Sequence, residues 1–204
     1  SKNKNIFIKK NNLEKKFVVL YSGNQGRGHD FVTILEAAKE LINEPDILFL
    51  FIGNGNQNKY LRDQVKKFAL KNCKFFPYQE KAELSYSLSS ADIAVVTIKK
   101  EFGGLIAPSK IYSHFAISTP VVVISPPDSY LRKIVEENES GKWFINNDGE
   151  RLAQWIKKSK KDKSKLSKMG TNGNNYFLNN KTLDICTAKY KKLLNTMRMT
   201  SVEY

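Results

Sequence analysis

The sequence predicts a doubly wound α/β domain with a mostly parallel sheet, extended by further helices at its C-terminal end. Three observations predict it. Apolar runs recur at residues 17–21 (FVVLY), 47–52 (ILFLFI), 93–98 (IAVVTI), 120–124 (PVVVI) and 143–145. They are continuous rather than alternating, which implies strands covered on both faces, as in a parallel sheet. The segments between them carry helical apolar spacing, and glycine-rich turns follow directly on two of the strands.

Residues 17–21 form the first strand. Phe31, Ile34, Leu35, Ala38, Leu41 and Ile42 then fall three and four apart, giving one apolar stripe on a helix. The second strand, 47–52, belongs to the longest apolar run of the chain (47–53), far short of the ~20 residues a membrane helix needs. Tyr60, Leu61, Val65, Phe68 and Ala69 stripe a second helix, and 74–76 reads as a weaker strand. Short helices at 84–88 and 111–115 flank the strand at 93–98. Asp148 is placed to cap a helix holding Leu152, Trp155 and Ile156. Such alternation calls for right-handed βαβ crossovers. Beyond about residue 160 only helical patterns remain, at 166–169 and 183–194, with an Asn/Gly-rich patch at 171–175 (TNGNN) between them.

Composition narrows the class. At 204 residues with 41% hydrophobic content the chain can build one good core. Two cysteines, Cys73 and Cys186, offer neither a disulfide framework nor metal-ligand spacing. The N-terminus, SKNKNIFIKK, is charged without an apolar stretch, unlike a signal peptide. It reads as a chain cut from something longer. The formal charge of +14 favours polyanions: phosphorylated ligands, an anionic membrane or nucleic acid. Much of it lies in residues 2–16 and in 157–168, where seven lysines accompany one acid. A solvated lysine face and membrane attraction both fit the second run; the lack of interleaved aromatics there speaks against nucleic acid.

The turn after the first strand reads Tyr21-Ser22-Gly23-Asn24-Gln25-Gly26-Arg27-Gly28. In open α/β sheets ligands bind at strand carboxyl ends. Glycine lets the backbone approach a pyrophosphate, a helix N-terminus offers unpaired N–H groups, and Arg27 can bridge phosphate oxygens. The spacing is neither the dinucleotide fingerprint nor a Walker A loop. A structural turn and a phosphate contact both remain open from this segment alone. His29, just beyond, reads as a residue at the start of the helix or as a catalytic group. Gly53 and Gly55 (IGNGN) repeat the pattern after the second strand, for a tight turn or for a ligand.

The most informative stretch is residues 101–110, again after a strand. Gly103 and Gly104 open a loop, Pro108 suits a first helical turn, Ser109 offers a hydroxyl and Lys110 a mobile point charge. Glu101 reads as an acceptor for sugar hydroxyls or as a surface carboxylate. Neither His29 nor His114 has triad spacing, and His114 reads as a satisfied core or interface histidine.

With these segments in order, the chain resembles the C-terminal domain of the family 4 retaining glycosyltransferases, which have the two-domain GT-B fold. The markers are YSGNQGR, FIGNG, SSADIAVV, PSKIY (108–112) and FAISTPVV (115–122), and they span residues 17–194. The branch is that of bacterial capsule, O-antigen and lipopolysaccharide synthesis, with N-acetylfucosamine-type transferases among its members. The resemblance implies a Rossmann-like nucleotide-sugar-binding domain at 17–160, preceded by a basic segment at 1–16 and followed by helices at 161–204. It implies a UDP-sugar donor, no divalent metal and no other cofactor. Carried over, Gly23, Asn24, Gly26 and Arg27, with Pro108, Ser109 and Lys110, would meet the diphosphate. Glu101, Phe102, Gly103 and Gly104 would lie by the sugar and phosphates, and the segment 76–79, with Tyr78, would border the base. Gly53, Gly55 and Tyr112 complete the set. One position departs: Ser113 stands where the family has a ribose-binding glutamate, and Ser118 replaces a glycine. The resemblance also implies an acceptor-binding domain N-terminal to this one, a lipid-linked glycan acceptor, and an enzyme in the bacterial cytoplasm with peripheral contact to the inner membrane. No such domain fits before Phe17, so the chain alone is expected to bind donor and transfer nothing. The alternative is a nucleotide- or nucleic-acid-binding module with no transferase activity; a GT-B epimerase is disfavoured by PSKIY.

Overall fold

The computed structural model describes residues 5–200, with side chains through 197. In chain order the elements are α1 (Ile6–Lys10), β1 (Phe17–Ser22), α2 (Val32–Glu40), β2 (Ile47–Ile52), α3 (Asn58–Lys67), β3 (Cys73–Phe76), α4 (Leu84–Leu88), β4 (Ile93–Thr97), α5 (Lys110–Ala116), β5 (Val121–Ile124), α6 (Tyr130–Glu137), β6 (Gly141–Phe144), α7 (Gly149–Ser159), α8 (Lys163–Asn180) and α9 (Leu183–Thr200). A short 3₁₀ turn at Lys100–Phe102 follows β4.

The six strands form one sheet in the order β3-β2-β1-β4-β5-β6, and each neighbouring pair runs parallel. This is the doubly wound arrangement that the continuous apolar runs predict. Val19 and Tyr21 of β1 enter the core on one face, with Phe31, Ile34, Phe49, Leu152 and Ile156. Val18 and Leu20 enter it on the other, with Leu48, Leu50 and Leu88. A third cluster joins Ala94, Val96, Ile111, Phe115, Val121 and Val123 at the β4–β5 end.

The winding reverses between β1 and β4, which pair through Val19–Ile93 and Leu20–Ala94. At such a switch point the connections leave the sheet in opposite directions, and a crevice opens above the carboxyl ends of the two strands.

Three segments depart from the sequence reading. Within the basic N-terminal segment, Asn5 caps α1 by accepting from Ile8 N at 3.1 Å, and Phe7 and Ile8 are buried against the sheet. Each contributes on the order of 2 kcal/mol by burial. The segment 130–137, for which no helix is predicted, forms α6, with Ser129 as its cap and Leu131 and Val135 inward. The Asn/Gly-rich patch at 171–175, expected between two helices, lies inside a continuous α8. Gly170 and Gly173 are there because a β-carbon on the first would overlap the Ser118 carbonyl oxygen, and one on the second the Phe115 ring. These glycines permit close helix packing instead of breaking the helix.

Candidate functional site

The glycine turn after β1 and the turn after β2 interlock. Gly23 N donates to Ile52 O at 2.9 Å, and Gln25 N donates to Asn54 O at 2.8 Å. Gly53, at φ +119°, has the Gly23 carbonyl oxygen where its β-carbon would stand; Gly55, at φ +150°, meets Asn24 Oδ1 and the Gln25 backbone in the same way. Both glycines therefore have a packing reason to be glycine. Tyr78 lies across this junction, its hydroxyl donating to Asn54 O at 3.2 Å.

Residues 26–30 are tied to the segments that follow β2 and β4. Gln57 Nε2 donates to Gly26 O at 2.7 Å, and Lys99 N donates to Gly28 O at 2.8 Å. The α-carbon of Gly28 packs against Ile106 and Phe102. Exposed Arg27 is thereby held between the turn after β2 and the loop after β4. His29 Nδ1 meets Thr97 O at 2.9 Å. Burial, then the charge of Lys110, lowers the His29 pKa to about 4, against a smaller opposing effect of the Thr97 carbonyl.

The start of α2 differs from the sequence reading. Asp30, buried, accepts from Thr33 N at 3.2 Å, from Thr33 Oγ1 at 2.7 Å and from Asn146 Nδ2 at 2.7 Å. The chain's own carboxylate thus occupies that helix N-terminus. What the turn offers an external anion is Arg27 and glycine backbone. No side chain caps α5: Ser109 is exposed and its hydroxyl makes no cap bond. Pro108 lies before the cap, buried, rather than in the first turn.

Lys110 crosses from α5 to the glycine turn. Its Nζ stands 3.4 Å from the position of a Gly23 β-carbon, donates to Tyr21 Oη at 2.8 Å, and lies 4.2 Å from the Tyr21 ring centroid. Burial lowers its pKa to about 8. His114, one turn along α5, is fully buried, with Nδ1 lacking a hydrogen-bond partner. The reading of a satisfied core histidine is therefore half right: it is core, but its ring nitrogen is unsatisfied. Burial and then Lys110 lower its pKa to about 4.

The structure thus brings Gly23, Asn24, Gly26, Arg27, Gly53, Gly55, Tyr78 and Lys110 to one end of the sheet. Phe102 packs on Gly28, and Gly103 against Pro126. Gly104 has φ +73° with open space at its β-carbon, and Glu101 is exposed in the 3₁₀ turn. Ser113 is exposed on α5. Tyr112 is not in the crevice: it joins the third core cluster and faces Lys181, whose Nζ is 5.4 Å from its ring. A pocket of about 440 Å³ lies beside residues 76–80, lined also by Ile6, Phe7 and Tyr86. Sequence reasoning missed Tyr21, Asp30 and Asn146. Tyr21 had a signal, since a hydroxyl at the end of an otherwise apolar strand needs a partner when buried; the other two required the fold.

The lysine run is partly neutralised. Lys157 pairs with Glu44 at 2.6 Å, and Lys160 pairs with Asp46 at 2.8 Å and Glu44 at 3.3 Å. No described helix is long and apolar enough to cross a membrane.

Comparison with known proteins fits this architecture. The family described as "Glycosyl transferases group 1" matches residues 3–176. "Probable glycosyltransferase WbjE" of Pseudomonas aeruginosa is 32% identical over 145 residues, covering 69% of this chain and 35% of that protein. WcaI of Escherichia coli (strain K12), named for colanic acid biosynthesis as a glycosyl transferase, is 28% identical over 123 residues, covering 60% of this chain and 30% of its own length. The match therefore spans about a third of each relative. Anabaena Alr3699/HepE, solved in complex with UDP-glucose, superposes with a TM-score of 0.79 at 16% identity over 93% of this chain and 51% of that one. At that identity the likeness establishes the fold. The chain belongs to the group 1 glycosyl transferases, and its all-parallel domain has the architecture of the C-terminal half of a GT-B enzyme.

Proposed function

We propose that this chain is the donor-binding domain of a glycosyltransferase that builds a bacterial surface polysaccharide, and that it holds a UDP-sugar by its diphosphate in the crevice between β1 and β4. The observation that carries the reading is the convergence of Lys110 on the Gly23 turn at the switch point. A cation and glycine backbone meet there, where leaving-group charge would develop. Arg27, Lys110 and the uncapped start of α5 would offset that charge. In this proposal the same cations take the part that a divalent metal would otherwise play at the diphosphate.

HepE's complex with UDP-glucose supports the choice of UDP, and the name of WcaI supports a surface polysaccharide. Gly103 and Gly104 would lie along the sugar and phosphates, with Glu101 accepting from sugar hydroxyls. Ser113 would stand toward the ribose, a weaker partner than a carboxylate. The acceptor-binding domain, a lipid-linked acceptor and peripheral contact with an anionic inner membrane belong to the same proposal. Relatives have ample further length for such a domain.

Calorimetry with UDP, ADP and GDP in the presence of a chelator tests this reading. Saturable binding of UDP, tighter than of the other two, is the expected result. Failure of all three removes the function, and the chain incubated alone with donor and a lipid-linked acceptor should form no product.

A further inference from the structure

We propose that Tyr21 is a positioning residue that joins the two anion-binding segments and fixes where Lys110 presents its charge. The inference rests on the donor-binding reading and adds to it a residue that packing alone does not explain.

The phenol has two partners, one from each segment. Its O–H donates to Asn24 O in the glycine turn at 2.6 Å. Its oxygen accepts from Lys110 Nζ, at the start of α5, at 2.8 Å. With the proton committed to Asn24, the lone pairs face the ammonium, which also lies over the ring. The ring cannot swing away: Tyr21 is 1% exposed, and Phe31 and His29 meet it edge-on at 4.7 and 5.7 Å between centroids. A phenylalanine would fill this space as Phe31 and Phe51 do nearby. The hydroxyl is the part that needs a reason, and linking the turn to Lys110 supplies one.

The electrostatic surroundings agree. From β1, Lys110 faces Tyr21; from the turn, His29; from its own helix, His114. Burial, and secondarily Tyr78, raises the Tyr21 pKa, so the phenol stays neutral. Both histidines are neutral at pH 7. Burial is the cause of the lowered Lys110 pKa. A half-buried cation beside neutral groups is poised to take an anion, and the Tyr21 hydroxyl holds it at Gly23 meanwhile.

Tyr21→Phe keeps the ring and the cation–π contact and deletes only the hydroxyl. Thermal melting verifies that the variant is folded. The first readout is the ¹³C NMR titration of the Lys110 side chain in the free protein. We expect a midpoint near 8 in the wild type and a lower one in Tyr21→Phe, because the ammonium loses an acceptor. The second is UDP affinity between pH 7 and 9.5. We expect binding about tenfold weaker in the variant, the cost of one hydrogen bond to a charged group, with its alkaline decline moved to lower pH. A folded Tyr21→Phe with an unchanged Lys110 midpoint and wild-type UDP affinity overturns the proposal. If the wild type binds no UDP, the donor reading falls, while the Lys110 midpoint still decides whether Tyr21 positions the lysine.

Discussion

Lys110 Nζ stands 3.4 Å from the point a β-carbon on Gly23 would occupy, so the end of β1 and the start of α5 meet at a single place. Gly23 also has φ +123°, a region that L side chains rarely adopt. Gly23→Ala should therefore cost about 1–3 kcal/mol of stability through its backbone conformation, and it sets a methyl against the ammonium where a diphosphate would approach. Denaturant unfolding measures the first effect, and UDP titration, weakened about tenfold or more, the second.

Lys110 makes donor affinity depend on alkaline pH. With a folded-state pKa near 8, it is charged at pH 7 and increasingly neutral above pH 8. UDP affinity should hold near neutrality and fall as pH rises through 8 to 9. Bound diphosphate favours the protonated lysine, so binding at pH 8.5 should take up a proton. Calorimetry in buffers of different ionisation enthalpy detects that uptake.

The same lysine should make the free domain less stable than it could be. Between pH 8 and the ordinary lysine value the unfolded chain binds more protons, so stability rises with pH across that window. Lys110→Met should abolish this rise, raise the melting temperature at pH 7 by about 2–6 °C, and lose UDP binding. Thermal melts from pH 7 to 10.5 check the sign.

On the acid side the histidines act. His29 and His114 have folded-state pKa values near 4, below the ordinary value near 6.5, because the fold holds them neutral. As pH falls from 6.5 to 4 the unfolded chain takes up protons that the folded chain refuses, so stability is lost in that interval. His114→Leu removes the unsatisfied Nδ1 and should flatten this part of the profile. Chemical denaturation at pH 7, 5.5 and 4.5 reads it.

Gly53 tests the junction of the two glycine turns without touching a charge. A β-carbon there would overlap the Gly23 carbonyl oxygen, and φ is +119°. Gly53→Ala should destabilise by about 2–4 kcal/mol, measurable by urea unfolding, because the neighbour that must shift is backbone.

Much of the fold was legible because its signal is local. The runs at 47–52 and 93–98 could be little other than buried strands, and the stripe from Phe31 to Ile42 marked α2. Gly173 misled because its reason is the Phe115 ring on another helix, which no local pattern reveals. The helix over 130–137 was masked by its charged outer face. At the site, the sequence placed Arg27 and Lys110 at strand ends; that Lys110 meets Gly23 through Tyr21 depends on the β1–β4 pairing. Asp30 escaped notice for a related reason: its three partners, Thr33, Asn146 and the α2 backbone, include one brought in from beyond β6.

The most direct test of the account is the amide NMR spectrum of the ¹⁵N-labelled chain during titration with UDP in a metal chelator. Residues 23–28 and 109–112 should shift together along one saturation curve. Shifts confined to one of these segments, or centred instead on the pocket beside Ile6 and Tyr86, would contradict a shared diphosphate site.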